Sequence, residues 1–201
     1  IHSNRINIYD LTGMESLRPP GNTRGSLKDI SQMLSVRAAV PLVSTIVHEA
    51  THQIAYNCGL QTRLSDIPLW LAEGLAGVFE APDLSSSRGW RGIGNVNYMR
   101  LRTFRENLPM WNIAKLQSLI ETDDLLRNPR TAADAYADAW ALNFYLIKYR
   151  PQEYTAYLQT MAAKKRMDRD DAATRMTEFR EHFGDLHELE RDFLKQMTRL
   201  R

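Results

Sequence analysis

Residues 48–52 read His48-Glu49-Ala50-Thr51-His52, two imidazoles four positions apart with a carboxylate between them. On a helix, at about 100° per residue, side chains four apart leave successive turns in nearly the same direction. Both rings can then reach one ion, with Glu49 close beside them. The chemistry open to such a trio is metal binding by two nitrogens and proton transfer by a carboxylate. The competing reading is a solvated polar face, since a short pattern with three fixed positions also arises by chance. A second segment bears on the choice. From Leu69 to Glu80 the chain is apolar around nearly a whole helical circumference, with Glu73 as its lone mid-helix charge. A helix of that kind must be covered on most sides, and a buried carboxylate without a partner is costly. A cation is therefore expected beside Glu73, either an arginine or the ion implied by the histidines. The ion explains more, because the twenty residues between His52 and Glu73 suffice for one turn and the start of an antiparallel helix. His48, His52 and Glu73 would hold one zinc ion and leave a fourth tetrahedral position for water, the arrangement of catalytic rather than structural sites. Cys58 is the single cysteine, so nitrogen and oxygen must supply the ligands. Cys58 itself reads as a half-buried filler at a helix end in preference to a nucleophile.

The elements that must position these groups can be read from periodicity and punctuation. The first motif helix spans Leu42 to about Asn57, after Pro41 in its first turn and before Gly59 as a stop. On its wheel Val43, Ile46, Val47, Ala50 and Ile54 form an apolar stripe roughly opposite His48, Glu49 and His52. The second motif helix is capped by Ser65 or Asp66, carries Pro68 in its first turn and ends before Pro82. Upstream, Asn4 to Tyr9 alternates as a short strand, and Gly13 to Ser26 reads as a surface loop. Downstream of a Ser/Gly-rich loop at 85–94, short helices are expected over Val96–Arg105 and Ile113–Ile120. Longer ones follow over Thr131–Tyr149, Gln152–Lys165, Ala172–Phe183 and Leu186–Leu200, all with apolar residues at three-to-four spacing.

His48-Glu49-Ala50-Thr51-His52-Gln53, followed by Trp70-Leu71-Ala72-Glu73-Gly74-Leu75-Ala76, resembles the gluzincin metallopeptidases, including the aminopeptidase N family. The order of elements, with Ile6 to Asp10 ahead of the metal helix and a Tyr-rich helix at Tyr136 to Tyr145 after it, is similar to a bacterial peptidase-MA-like family labelled as a domain of unknown function. The resemblance implies a zincin-like fold, a peptide or protein substrate, zinc held by His48, His52 and Glu73, and Glu49 as the general base. It also implies that Tyr136, opening a later helix, donates a hydrogen bond to the oxyanion. A tyrosine in an alanine-rich amphipathic helix is otherwise usually packing, the role assigned to the alternatives Tyr145 and Tyr149. Glu80, seven positions after Glu73, matches an acidic position of the aminopeptidases and reads either as a support for the metal ligands or pocket, or as a surface ion pair at the helix end. Asn57 matches an asparagine after the metal helix but is equally ordinary helix-end chemistry, and receives no catalytic role. His182 and His187 have no partner at ligand spacing and are expected in solvent. The Gly-Ala-Met-Glu-Asn segment with which aminopeptidases grip a free amino terminus is missing, which argues against exopeptidase action there.

Length and composition set the outer bounds. At 201 residues, with 25% charged residues of both signs, the chain has the profile of a soluble globular protein. A net charge of +2, scattered along helices, argues against nucleic acid as a partner. No apolar run reaches the length of a membrane span, and the chain opens at Ile1 without the features of a signal peptide. Its compartment stays open, and export with a targeting segment absent from this sequence is compatible with it. Oligomeric state is not legible. The expectation is therefore a single zincin-like catalytic domain over 1–201, α+β but helix-dominated. Residues 1–82 would supply a small N-terminal sheet and two metal-binding helices, and 83–201 a helical subdomain. Peptide-bond hydrolysis would proceed with Glu49 taking a proton from water and returning it to the leaving nitrogen, and with the Arg5–Tyr9 strand binding extended substrate at its edge. The rival is a catalytically silent peptide-binding or scaffolding domain on the same frame, against which the intact Glu49 speaks. A helical protein with an accidental motif would need both motifs to be coincidences.

Overall fold

A computed structural model describes residues 40–81 and 94–200. Its elements are α1 (Val40–Asn57), α2 (Leu69–Phe79), α3 (Tyr98–Asn107), a 3-10 turn (Leu108–Met110), α4 (Ile113–Glu121), α5 (Asp124–Arg127), α6 (Ala132–Tyr149), α7 (Pro151–Ala162), α8 (Ala172–Phe183) and α9 (Leu186–Arg199). The expected α+β class is corrected by this order: among the described residues there is no strand and no sheet, and the architecture is helical. The strand read at Asn4–Tyr9, with its Arg5–Tyr9 edge, lies outside the described residues. The physical reason for the correction is that the layer a sheet would have laid against the apolar α2 is supplied instead by α6, its principal packing partner. Among the described residues no helix is long and apolar enough to cross a membrane.

Local signals explain several helix ends. Gly59 takes a left-handed φ of 78° just past α1, where a side chain would be strained. Asn97, Asn112, Asp171 and Asp185 cap α3, α4, α8 and α9 by accepting from the backbone N–H two or three positions on. The start of α2 departs from expectation. Neither Ser65 nor Asp66 caps it: the Ser65 hydroxyl donates to Thr62 O, and Asp66 accepts from Arg175. The orphan N–H of Leu69 instead donates to Asp123 Oδ1 at 3.1 Å, a cap delivered from fifty-four residues away.

Around α2 the aromatic core closes. Trp70 is fully buried, stacks on Tyr157 of α7 and meets Phe179 of α8 edge-on. On the other side α6 lies against α2 so closely that a Cβ built on Gly74 would stand 2.3 Å from Ala139 O and 2.1 Å from Asn143 Nδ2. Buried Asn143 exploits this approach: its amide donates to Trp70 O and Ala139 O, and its Oδ1 accepts from the Tyr154 hydroxyl at 2.6 Å. The α1 stripe turns out differently from its sequence reading. Val43 is buried, but Ile46, Ala50 and Ile54 are exposed among the described residues, because the histidine face of α1 is the one turned toward α2.

The contact at Gly74 generates a paired test. Alanine has the better helix propensity by about 1 kcal/mol at either glycine of α2. At Gly77 the added Cβ would meet Trp140 at an ordinary 3.5 Å, so Gly77→Ala is expected to be neutral or slightly stabilising. At Gly74 the overlap wins, and Gly74→Ala is expected to cost about 1–3 kcal/mol by overpacking. Denaturant midpoints of the two variants would check the order. Equal midpoints would show that α2 and α6 are not in such close contact.

Candidate metal centre

Convergence begins on α1, where His48 and His52 follow one another up the same face, and is completed by Glu73 at mid-α2. His48 Nε2 lies 3.0 Å from Glu73 Oε2, His52 Nε2 lies 3.6 Å from the same oxygen, and the two Nε2 atoms are 3.3 Å apart. Donor atoms about 2.0–2.1 Å from a tetrahedral ion stand about 3.3 Å from one another. The observed triangle has that size, and its chemistry, two imidazoles and one carboxylate, suits zinc. His48, His52 and Glu73 are the residues that could hold such an ion.

The supporting contacts orient His48. Its Nδ1 faces Glu80 Oε2 at 2.9 Å and its Nε2 faces Glu73 Oε2 at 3.0 Å, so the metal-free imidazole carries a proton on each nitrogen, and a metal would take the place of the one on Nε2. Glu80 is itself held on its other oxygen, where Asn97 Nδ2 donates at 3.0 Å and Arg100 Nε at 2.9 Å. Glu80 is buried, so the surface ion pair is not what is found: it pairs inside the protein with His48 and Arg100. Burial works against charge on His48, but the Glu73 and Glu80 carboxylates outweigh it and push its pKa from 6.5 up to about 9. Burial likewise opposes charge on Glu73, and the two histidines overcome it, holding this carboxyl well below the ordinary range.

Glu49 is half-buried on α1 between the two histidines. Tyr136, near the start of α6, comes to the same place. Its phenol is pushed up to about 12, by burial first, then by the negative charge of Glu73, which also accepts its hydrogen bond, and by the charge of Glu49; Arg100 pulls the other way. Tyr145 and Tyr149 do not enter the centre: Tyr145 is buried and donates to Asp192 at 2.7 Å, and Tyr149 packs against its ring. Asn57 is exposed and accepts from Arg63. His187 is exposed, whereas His182 is half-buried, edge-on to Tyr157 and hydrogen-bonded to Thr160. Cys58 is exposed rather than half-buried.

Sequence reasoning passed over Asn97 and Arg100. Asn97 caps α3 and Arg100 sits in its first turn, and their tie to Glu80 is purely tertiary, so no spacing in the chain announces it. Tyr56, one turn beyond His52, was passed over too; burial and the negative charge of Glu73 raise its phenol.

The family described as Protein of unknown function (DUF1570) matches residues 42–168, a span that holds both motif helices, Glu80, Arg100 and Tyr136. The chain belongs to this family. No curated protein and no solved structure matches it.

Two outcomes follow from the charges around His48. A zinc ion must displace the His48 proton, so apparent zinc affinity should climb roughly tenfold per pH unit until about 9 and level off above it. The sign for the metal-free protein is opposite. A pKa raised by folding stabilises fully below 6.5 and less as pH rises through 9, so metal-free stability should fall over that window. Chelator competition and thermal melts across pH 6–10 check the pair. Secondly, Glu80→Gln keeps the shape of the side chain, but its amide cannot accept from both His48 and Arg100. Zinc affinity should fall by about 10–100-fold with the fold intact, and an unchanged affinity would remove Glu80 from the centre.

Proposed function

We propose that the protein is a zinc-dependent peptidase of the gluzincin type, with His48, His52 and Glu73 as metal ligands. The observation that carries the reading is the triangle of three donor atoms at tetrahedral spacing, with Glu49 and Tyr136 beside it. A zinc ion there would acidify a water molecule and polarise a carbonyl. Glu49 takes the proton from water and delivers it to the leaving nitrogen. Tyr136, protonated at neutral pH as an ordinary phenol is, donates to the oxyanion as charge develops. Glu80 holds His48 in the orientation that presents Nε2. Peptides and proteins are the substrate class, since the pairing of HExxH with a downstream glutamate is the resemblance that links these residues to a reaction.

Substitution separates the roles. Glu49→Gln should retain zinc and fold while losing about 10²–10⁴-fold in hydrolysis of a diverse peptide library. Tyr136→Phe should retain both and lose about 10²–10³-fold, in kcat more than in KM. Equal cleavage by wild type and Glu49→Gln would remove Glu49 as the base. Full zinc occupancy with no cleavage of any peptide pool would favour the silent binding module.

A further inference from the structure

The base of α3 gathers two contacts that the roles above leave unexplained. Arg100 Nε donates to Glu80 Oε1 at 2.9 Å, on the oxygen opposite the one that accepts from His48. The same guanidinium carbon stands 5.4 Å from the centre of the Tyr136 ring. One side chain therefore touches the carboxylate behind a metal ligand and the ring of the phenol at the centre. We infer that Arg100 is a positioning residue, which fixes the His48 imidazole through Glu80 and the Tyr136 phenol by a cation–π contact with its ring, and so sets the two in register with each other.

Local geometry explains why arginine can do this. Asn97 caps α3 by accepting from the Arg100 N–H at 3.2 Å, and its amide also donates to Glu80 Oε1 and to Gly77 O. The first turn of α3 is thus pinned to the end of α2 before Arg100 extends. From there α3 packs along α6, the helix that carries Tyr136. A guanidinium spreads its charge over a broad plane, so it can donate to a carboxylate and at the same time stand over an aromatic ring. Lysine offers a single point charge, which can serve the carboxylate but does not reach the ring at the same time. The Arg100 side chain is 29% exposed and Glu80 only 10%, so the pair is sheltered enough for its geometry to matter.

The inference rests on the peptidase reading for its purpose, but two of its readouts need no activity. Zinc alone is the probe for the first, by competition with a chelating dye. The second is the ¹⁹F resonance of 3-fluorotyrosine placed at position 136, recorded with and without zinc. Arg100→Gln should weaken zinc about tenfold, the lower end for a group behind a ligand, and should move or broaden the fluorine resonance. Arg100→Lys should keep zinc within about threefold of wild type yet still disturb the fluorine signal, and it should lower kcat with little change in KM. A residue with a merely structural role would move none of these apart from stability. If Arg100→Gln binds zinc as tightly as wild type and leaves the resonance unchanged, the inference is overturned. Should Arg100→Gln fail to fold, Arg100→Lys decides alone: an undisturbed resonance overturns the inference and a disturbed one supports it. A wild type that binds no zinc would sink the peptidase reading, and the fluorine signal of the metal-free variants would still decide whether Arg100 places Tyr136.

Discussion

At Gly74 the backbones of α2 and α6 come close enough to exclude even a methyl group, and the neighbouring residues are disposed by that approach. Glu73 precedes the glycine directly, so its carboxylate leaves α2 at the edge of the contact. Across it, Asn143 grips the Trp70 carbonyl and Tyr136 reaches Glu73 from two turns earlier on α6. The Glu73 side chain is only 16% exposed. Glu73 therefore depends on the histidines of α1 for its compensation, and α1 is drawn onto α2 with its polar face inward.

Electrostatically the centre is a chain of alternating charge. Glu73, His48, Glu80 and Arg100 succeed one another at 3.0, 2.9 and 2.9 Å, each partly or largely buried. Buried carboxylates are tolerated only where cations or donors meet both oxygens, and removing one partner leaves its neighbour uncompensated. Folding must bring α1, α2 and α3 together for the chain of charges to close. This is why the residues behind the ligands matter as much as the ligands themselves.

How much of this was legible in the sequence depended on the range of the interaction. His48, Glu49 and His52 are displayed by helix periodicity, and Glu73 by its isolation on an apolar helix; the structure brings the three ligand candidates together. Helix positions followed from punctuation, as at Gly59 and the Asn and Asp caps. What failed was long-range. The cap of α2 comes from Asp123, the partner of Glu80 from Arg100, and neither separation carries a pattern. The sheet was expected from alternation in Asn4–Tyr9 and from the resemblance, whereas the described residues fill the space around α2 with helices. The exposed Ile46 and Ile54 show a further limit, since hydropathy reports that a stripe is apolar but not which face of its helix a charge network will claim.

Arg175 has a consequence that reaches past the family's boundary. It lies on α8, seven residues beyond the matched span, with its guanidinium donating to Asp66 and Asp123 at 3.0 and 2.8 Å. Asp123 in turn holds the first amide of α2. Phe179 from the same helix fills the space beside Trp70. A segment outside the shared sequence thus clamps the very helix that carries Glu73. The restraint on the head of α2 therefore extends past the span matched to the family. A fragment cut to the matched residues would keep the motif and lose that restraint.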